Sequence, residues 1–243
     1  MEIRICENPA HLGEQAAKYT AEILNDSIAE KGYARILLST GASQFDTIQS
    51  LVKQNVDWTK VEMFHLDEYV DLPETHKASF RKYLKERFIQ KVGPLKGVHL
   101  VDGTAEGIPA LTKEIRRAPI DVGLIGIGEN GHIAFNDPPA DFDTKEAYII
   151  VNLNDTCKKQ QMGEGWFPTI DDVPNQAVSM TVYQIMQCEK IVSCVPYPVK
   201  AQAVKNTLAQ DVNNLVPATI MKTHKDFVMF IDRDSARLAI DIK

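Results

Sequence analysis

The sequence has little in it that would staple, anchor or thread the chain. Only four cysteines occur in 243 residues, Cys6, Cys157, Cys188 and Cys194, and no two form a CxxC pair. Zinc-like spacing with histidine is absent as well, so reduced and mostly buried thiols are expected. No apolar run exceeds about five residues, far short of the ~20 that a membrane-spanning helix needs. No long basic run occurs and the formal charge is −6, which argues against nucleic acid or an anionic membrane as a partner. No internal repeat or low-complexity linker breaks the chain. Residues 1–6 alternate polar and apolar and carry Glu2 and Arg4, so they read as a strand and not as a signal peptide. The expected setting is the cytoplasm.

What is present is ordinary globular composition, 44% hydrophobic and 25% charged. The length fits one large domain, expected to span residues 1–243. Strand-like and helix-like segments alternate. Asn8-Pro9 reads as a helix cap and first turn, and Gly32 as the stop. Short apolar runs at 34–39, 61–66, 98–101, 121–127, 190–195, 218–222 and 227–231 read as strands. Helices are expected over about 44–54, 79–92, 108–117 and onward from 234. This order predicts an α/β fold, an open and mostly parallel sheet with helices on both faces. The polar stretch over about 154–174, with Gly163, Gly165, Trp166 and Phe167, reads as a helix-turn lid over the sheet edge.

Ligands of such sheets sit beyond the carboxyl ends of the strands. Three loops there carry unusual chemistry. Ser39-Thr40-Gly41-Ala42-Ser43 offers backbone N–H groups, hydroxyls and a glycine at a helix start, which suits an anion. It is no Walker loop, because no Gly-Lys-Ser/Thr follows. Asp67 and Glu68 sit side by side at a strand end and must point apart, so at most one faces a ligand. A half-buried carboxylate there can act as a base beside a carbonyl or imine. The loop from Gly126 to Pro138 holds glycines at 126, 128 and 131 around His132, with Asn130 and Asp137 near enough to orient its ring. Its glycines do not fit the dinucleotide fingerprint, which belongs in a first strand-helix unit. Lys200 opens a later helix at the same end of the sheet. Taken singly, each feature also has a plain structural reading: a serine-capped turn, a surface acid pair, a surface histidine, an exposed lysine.

Together the segments resemble the glucosamine-6-phosphate deaminase/isomerase family. Leu38-Ser39-Thr40-Gly41 is similar to its phosphate loop, Leu66-Asp67-Glu68-Tyr69-Val70 to its MDEYV segment, and Gly131-His132-Ile133-Ala134-Phe135-Asn136-Asp137-Pro138 to its GHIAFNEP signature. The resemblance implies an isomerising deaminase that turns glucosamine-6-phosphate into fructose-6-phosphate and ammonia without metal or organic cofactor. It implies that Ser39, Thr40, Gly41, Ser43 and Lys200 hold the phosphate, that His132 opens the ring, and that Asp67 moves the proton from C2 to C1. Asn130 and Asp137 depart from the acid and glutamate usual in the family, which leaves Asp137 as the main charged orienter of His132. The lid lacks the family's arginine, and Lys158 or Lys159 is expected in its place. That change leaves galactosamine-6-phosphate open as substrate. The short end after the last strand implies a monomer or small homo-oligomer without hexameric allostery. Three other readings stand beside this one, one of them an isomerase acting on another aldose phosphate without deamination. A 6-phosphogluconolactonase-type hydrolase shares the glycine-histidine loop, but Asp67-Glu68-Tyr69 and Phe135-Asn136-Asp137 oppose it. A non-catalytic sugar-phosphate sensor is opposed by the retained Asp67 and His132.

Overall fold

The computed structural model describes residues 1–239. Seven strands form one fully parallel sheet: β1 (Glu2–Cys6), β2 (Ala34–Leu38), β3 (Val61–His65), β5 (Gly97–His99), β6 (Val122–Leu124), β9 (Lys190–Val195) and β10 (Phe227–Asp232), in the order β1-β10-β9-β6-β2-β3-β5. A second, antiparallel sheet joins β4 (Asp67–Tyr69), β8 (Gln176–Met180) and β7 (Tyr148–Asn152) in the order β4-β8-β7. The expected parallel α/β sheet is there. The second sheet is not among the expected elements.

Period-two alternation divides the central strands between two cores. In β2, Ile36 and Leu38 join one core while Leu37 joins the other. In β10, Val228 and Phe230 face the first, and Phe227, Met229 and Ile231 the second. The first core is closed by helices Pro9–Lys31, Phe45–Leu51 and Phe80–Leu84, through residues such as Leu12, Ile48 and Leu84. The second is closed by Ile108–Ile115 and Ala201–Ala209, through Leu111, Ile115 and Val204. A third cluster, with Tyr69, Phe80, Phe135 and Phe167, lies under residues 153–173.

Local signals explain several boundaries. Asn8 accepts a hydrogen bond from the His11 N–H at 2.9 Å, and Gly32 ends that helix in the left-handed region at φ 82°. Ser79 caps the helix that follows it by accepting from Lys82 N–H. The run 218–222 is not the expected strand but part of a 3-10 helix, Pro217–Thr223. Pro217 fixes φ at its first turn, and a five-residue apolar run cannot be told from a buried helical turn by period alone. The expected final helix is present at Arg233–Ala236, and residues 240–243, over which that expectation extended, lie outside the described residues.

Candidate active site

The strands β9, β6, β2 and β3 are consecutive neighbours and all run the same way. The loops that follow them therefore meet at one edge of the sheet. They line a cleft of about 540 Å³, counting the solvent at its mouth, with Ser39, Thr40, Gly41, Ser43, Asp67, His132 and Lys200 all on its wall.

The first wall is the turn after β2. Gly41 has φ 98°, a conformation that side chains disfavour, and it lets the backbone curl around the cleft. Ser39 Oγ accepts from Gly126 N–H at 3.1 Å and so ties this turn to the loop after β6. Gln44, fully buried, donates from Nε2 to Ser43 Oγ at 3.1 Å and to Cys194 O at 3.2 Å. Ser43 thus receives a hydrogen bond and keeps its own proton for a ligand. Lys200 reaches the same wall from the 3-10 turn Pro198–Lys200 and is 5% exposed. It joins no ion pair among the described residues. Burial pulls its ammonium pKa down, against the pull of Glu164 and Glu129. A buried, unpaired cation beside hydroxyls and backbone N–H groups is set up for an anion.

The acid pair divides as strand alternation requires. Glu68 is fully buried behind the wall. It accepts from Ser79 Oγ at 2.8 Å, from the N–H groups of Phe80 at 3.2 Å and Arg81 at 2.9 Å, and from Arg81 Nε at 3.1 Å. Asp67 points into the cleft and makes no such bonds. Burial, with repulsion from Glu68, pushes its pKa up to about 8. A carboxyl poised near neutrality is suited to proton transfer.

The loop after β6 is built around the imidazole. A Cβ on Gly128 would lie 2.2 Å from His132 Nε2, so only glycine leaves room for the ring. His132 Nδ1 lies 3.0 Å from Asp137 Oδ1. Asn130 Nδ2 donates to the same oxygen at 3.0 Å, and Asn130 Oδ1 accepts the His132 backbone N–H at 3.0 Å. Asn130 therefore orients the loop and the acid, not the ring itself. Burial raises the Asp137 carboxyl, but the His132 and Asn130 hydrogen bonds outweigh it and the net pKa is lowered. An ionised Asp137 only accepts, so Nδ1 carries the proton and Nε2 is free for a ligand. Asn136 Nδ2 clamps the loop to Ile133 O and Met180 O, each at 2.8 Å.

The helix Asp155–Gly163 borders the cleft, capped by Asn154. It does not bring the expected lysines to the wall. Lys158 bonds Asn175 and Lys159 is exposed, while Gln160, Gln161 and Glu164 line the cleft. Tyr69 Oη donates to Gln161 Oε1 at 2.8 Å, and Glu129 N–H donates to Gln160 Oε1 at 3.2 Å. The spacing 160, 161, 164 is one helical face, and that periodicity is the sequence signal for these polar groups. Phe80 and Phe135, stacked with ring centroids 5.7 Å apart, add an apolar surface.

Known proteins match this chain along nearly its whole length. A family model described as glucosamine-6-phosphate isomerases/6-phosphogluconolactonase covers residues 7–229. The glucosamine-6-phosphate deaminase of Staphylococcus epidermidis is 35% identical over 232 residues, 91% of this chain and 94% of that one. Among solved structures, a monomeric glucosamine-6-phosphate deaminase superposes with a TM-score of 0.87 at 28% identity, covering 98% of this chain and 100% of that one. A 6-phosphogluconolactonase from Shewanella baltica superposes with a TM-score of 0.78 at 18% identity, covering 96% and 97%, and shares the fold.

Proposed function

Because the chain belongs to the family of glucosamine-6-phosphate isomerases and 6-phosphogluconolactonases, we propose that it converts glucosamine-6-phosphate and water into fructose-6-phosphate and ammonia. One observation carries this reading. A desolvated carboxyl, a carboxylate-held imidazole and an unpaired buried lysine share one cleft wall. The phosphate sits on Ser39, Thr40, Gly41, Ser43 and Lys200. His132 Nε2 handles the ring oxygen, so that the pyranose opens to the aldehyde. Asp67 takes the proton from C2 and returns it to C1 through an enolamine. Water then adds at C2, ammonia leaves, and the ketose remains. The substrate's ammonium favours the ionised form of Asp67, so binding helps to generate the base.

The acid identities support deamination over lactone hydrolysis, since a hydrolase has no use for a proton shuttle between two carbons. The enzyme acts in the cytoplasm as a monomer or small homo-oligomer. In support, the similar solved deaminase is monomeric, and among the described residues no helix is long and apolar enough to cross a membrane. The test is to incubate purified protein with glucosamine-6-phosphate, galactosamine-6-phosphate and 6-phosphogluconolactone, following ammonia and ketose. Ammonia with ketose from glucosamine-6-phosphate is expected. Lactone hydrolysis without ammonia from either amino sugar would reverse the assignment.

A further inference from the structure

The two arms of the anion cradle come from strands that do not touch. Ser39 to Ser43 follow β2, Lys200 follows β9, and β6 lies between them. Gln44 links Ser43 to Cys194 O of β9, and Tyr197 spans the gap farther out, at the lysine's own turn. Tyr197 Oη donates to Asp46 Oδ2 at 2.9 Å, and Asp46 lies in the first turn of the helix that follows the serine arm. Tyr197 O accepts from Lys200 N–H at 3.1 Å and so closes the lysine's turn. Its own N–H donates at 3.1 Å to Asp232 Oδ2, at the end of β10. The tyrosine is therefore held from both sides.

Its backbone is the second observation. Tyr197 has φ 79° and ψ 149°, a region that is almost glycine's alone. A bulky residue there carries backbone strain and persists where its surroundings hold it. Asp46 is fixed in turn by close packing. A Cβ on Gly13, in the helix Pro9–Lys31, would lie 2.5 Å from the Asp46 carbonyl carbon. A glycine at 197 would suit the backbone, so the phenol's reach explains the tyrosine.

On the reading that this cleft holds a phosphate, we infer that Tyr197 is a positioning residue. Its hydroxyl braces Asp46 and sets the distance between the serine arm and Lys200. Burial and the Asp46 bond push the phenol's pKa up to about 12, so it stays a donor across the working range.

Binding of inorganic phosphate, measured by calorimetry, tests the brace without any appeal to catalysis. Tyr197→Phe removes only the hydroxyl and is expected to weaken phosphate binding roughly tenfold, the scale of one charge-assisted hydrogen bond. In turnover, KM rises by a similar factor and kcat stays within about twofold, because Asp67 and His132 are not moved. Asp46→Ala has the same effect, and Asp46→Asn, which keeps an acceptor oxygen, recovers most of it. The double variant Tyr197→Phe/Asp46→Ala is no worse than either single one, as a shared contact requires. Tyr197→Gly, with a relaxed backbone, still binds phosphate weakly. Unchanged binding in Tyr197→Phe, or losses that simply add in the double variant, would overturn the brace while leaving the deaminase reading intact. A wild-type protein that binds neither phosphate nor a sugar phosphate would remove the cradle, and this inference with it.

Discussion

The burial of Asp67 makes a prediction about stability as well as turnover. Its folded pKa is about 8 against an ordinary value of 3.8. Between those two values the folded protein keeps a proton that the unfolded chain has lost. Native protein then binds more protons than unfolded, so stability falls as pH rises through this window. Integrating the two titrations gives a cost of about 2 kcal/mol at pH ~5 and about 4 kcal/mol at pH ~7. Asp67→Asn has no ionisation there and escapes the cost. The variant is therefore expected to gain on the parent by about 2–3 kcal/mol between pH ~5 and ~7, or roughly 4–12 °C in melting temperature. Its turnover falls by ~10²–10⁴, the usual range for loss of a general base. In the parent, kcat/KM climbs with pH towards about 8 as free Asp67 ionises. Thermal melts of both proteins across the range, with initial rates on the parent, give the numbers. A stability gap that stays flat from pH ~5 to ~7 would show that Asp67 ionises normally, and the argument from desolvation to catalysis would fail.

Three further outcomes follow from the site. Gly128→Ala puts a methyl 2.2 Å from His132 Nε2, so the imidazole must leave its seat and ring-form turnover should fall by ~10²-fold or more. The check is steady-state kinetics beside a melt showing retained fold. Lys200→Gln should raise KM for the phosphorylated sugar by ~10–100-fold with a smaller change in kcat, read by kinetics and by inorganic phosphate binding. Glu68→Ala leaves Arg81 facing a lost partner and several N–H donors unmet, which should cost about 3–5 kcal/mol in denaturant titration.

Much of this architecture was legible in the residues, and the gaps have physical causes. Continuous apolar runs flanked by glycine and caps marked the parallel strands, because strands buried on both faces need apolar residues throughout. The antiparallel sheet was missed: β4 is three residues long and β7 shows only partial alternation, with Ile150 exposed. Side-chain alternation separated Asp67 from Glu68, yet nothing in the string reveals that Glu68 meets Ser79 and Arg81 eleven and thirteen positions on. His132 and Asp137 stood out from their glycine-rich surroundings. Lys158 and Lys159 are the cations of the stretch, but the helix Asp155–Gly163 and its C-cap present Gln160, Gln161 and Glu164 to the cleft, and helix phase is set by packing that local composition does not encode.

The anchoring of Glu68 reaches beyond its own hydrogen bonds. β4 pairs with β8 in one register, Asp67 opposite Ser179 and Glu68 opposite Val178. A slip of one residue would turn both carboxylates over, sending Asp67 towards the Ser79–Arg81 pocket and Glu68 towards the cleft. Because hydroxyl, N–H and guanidinium donors in that pocket all meet the Glu68 carboxylate, it acts as a key that favours one alignment of the strand. Insertions or deletions near Leu66 should therefore be purged in any library selected for folding alone, before activity is ever scored.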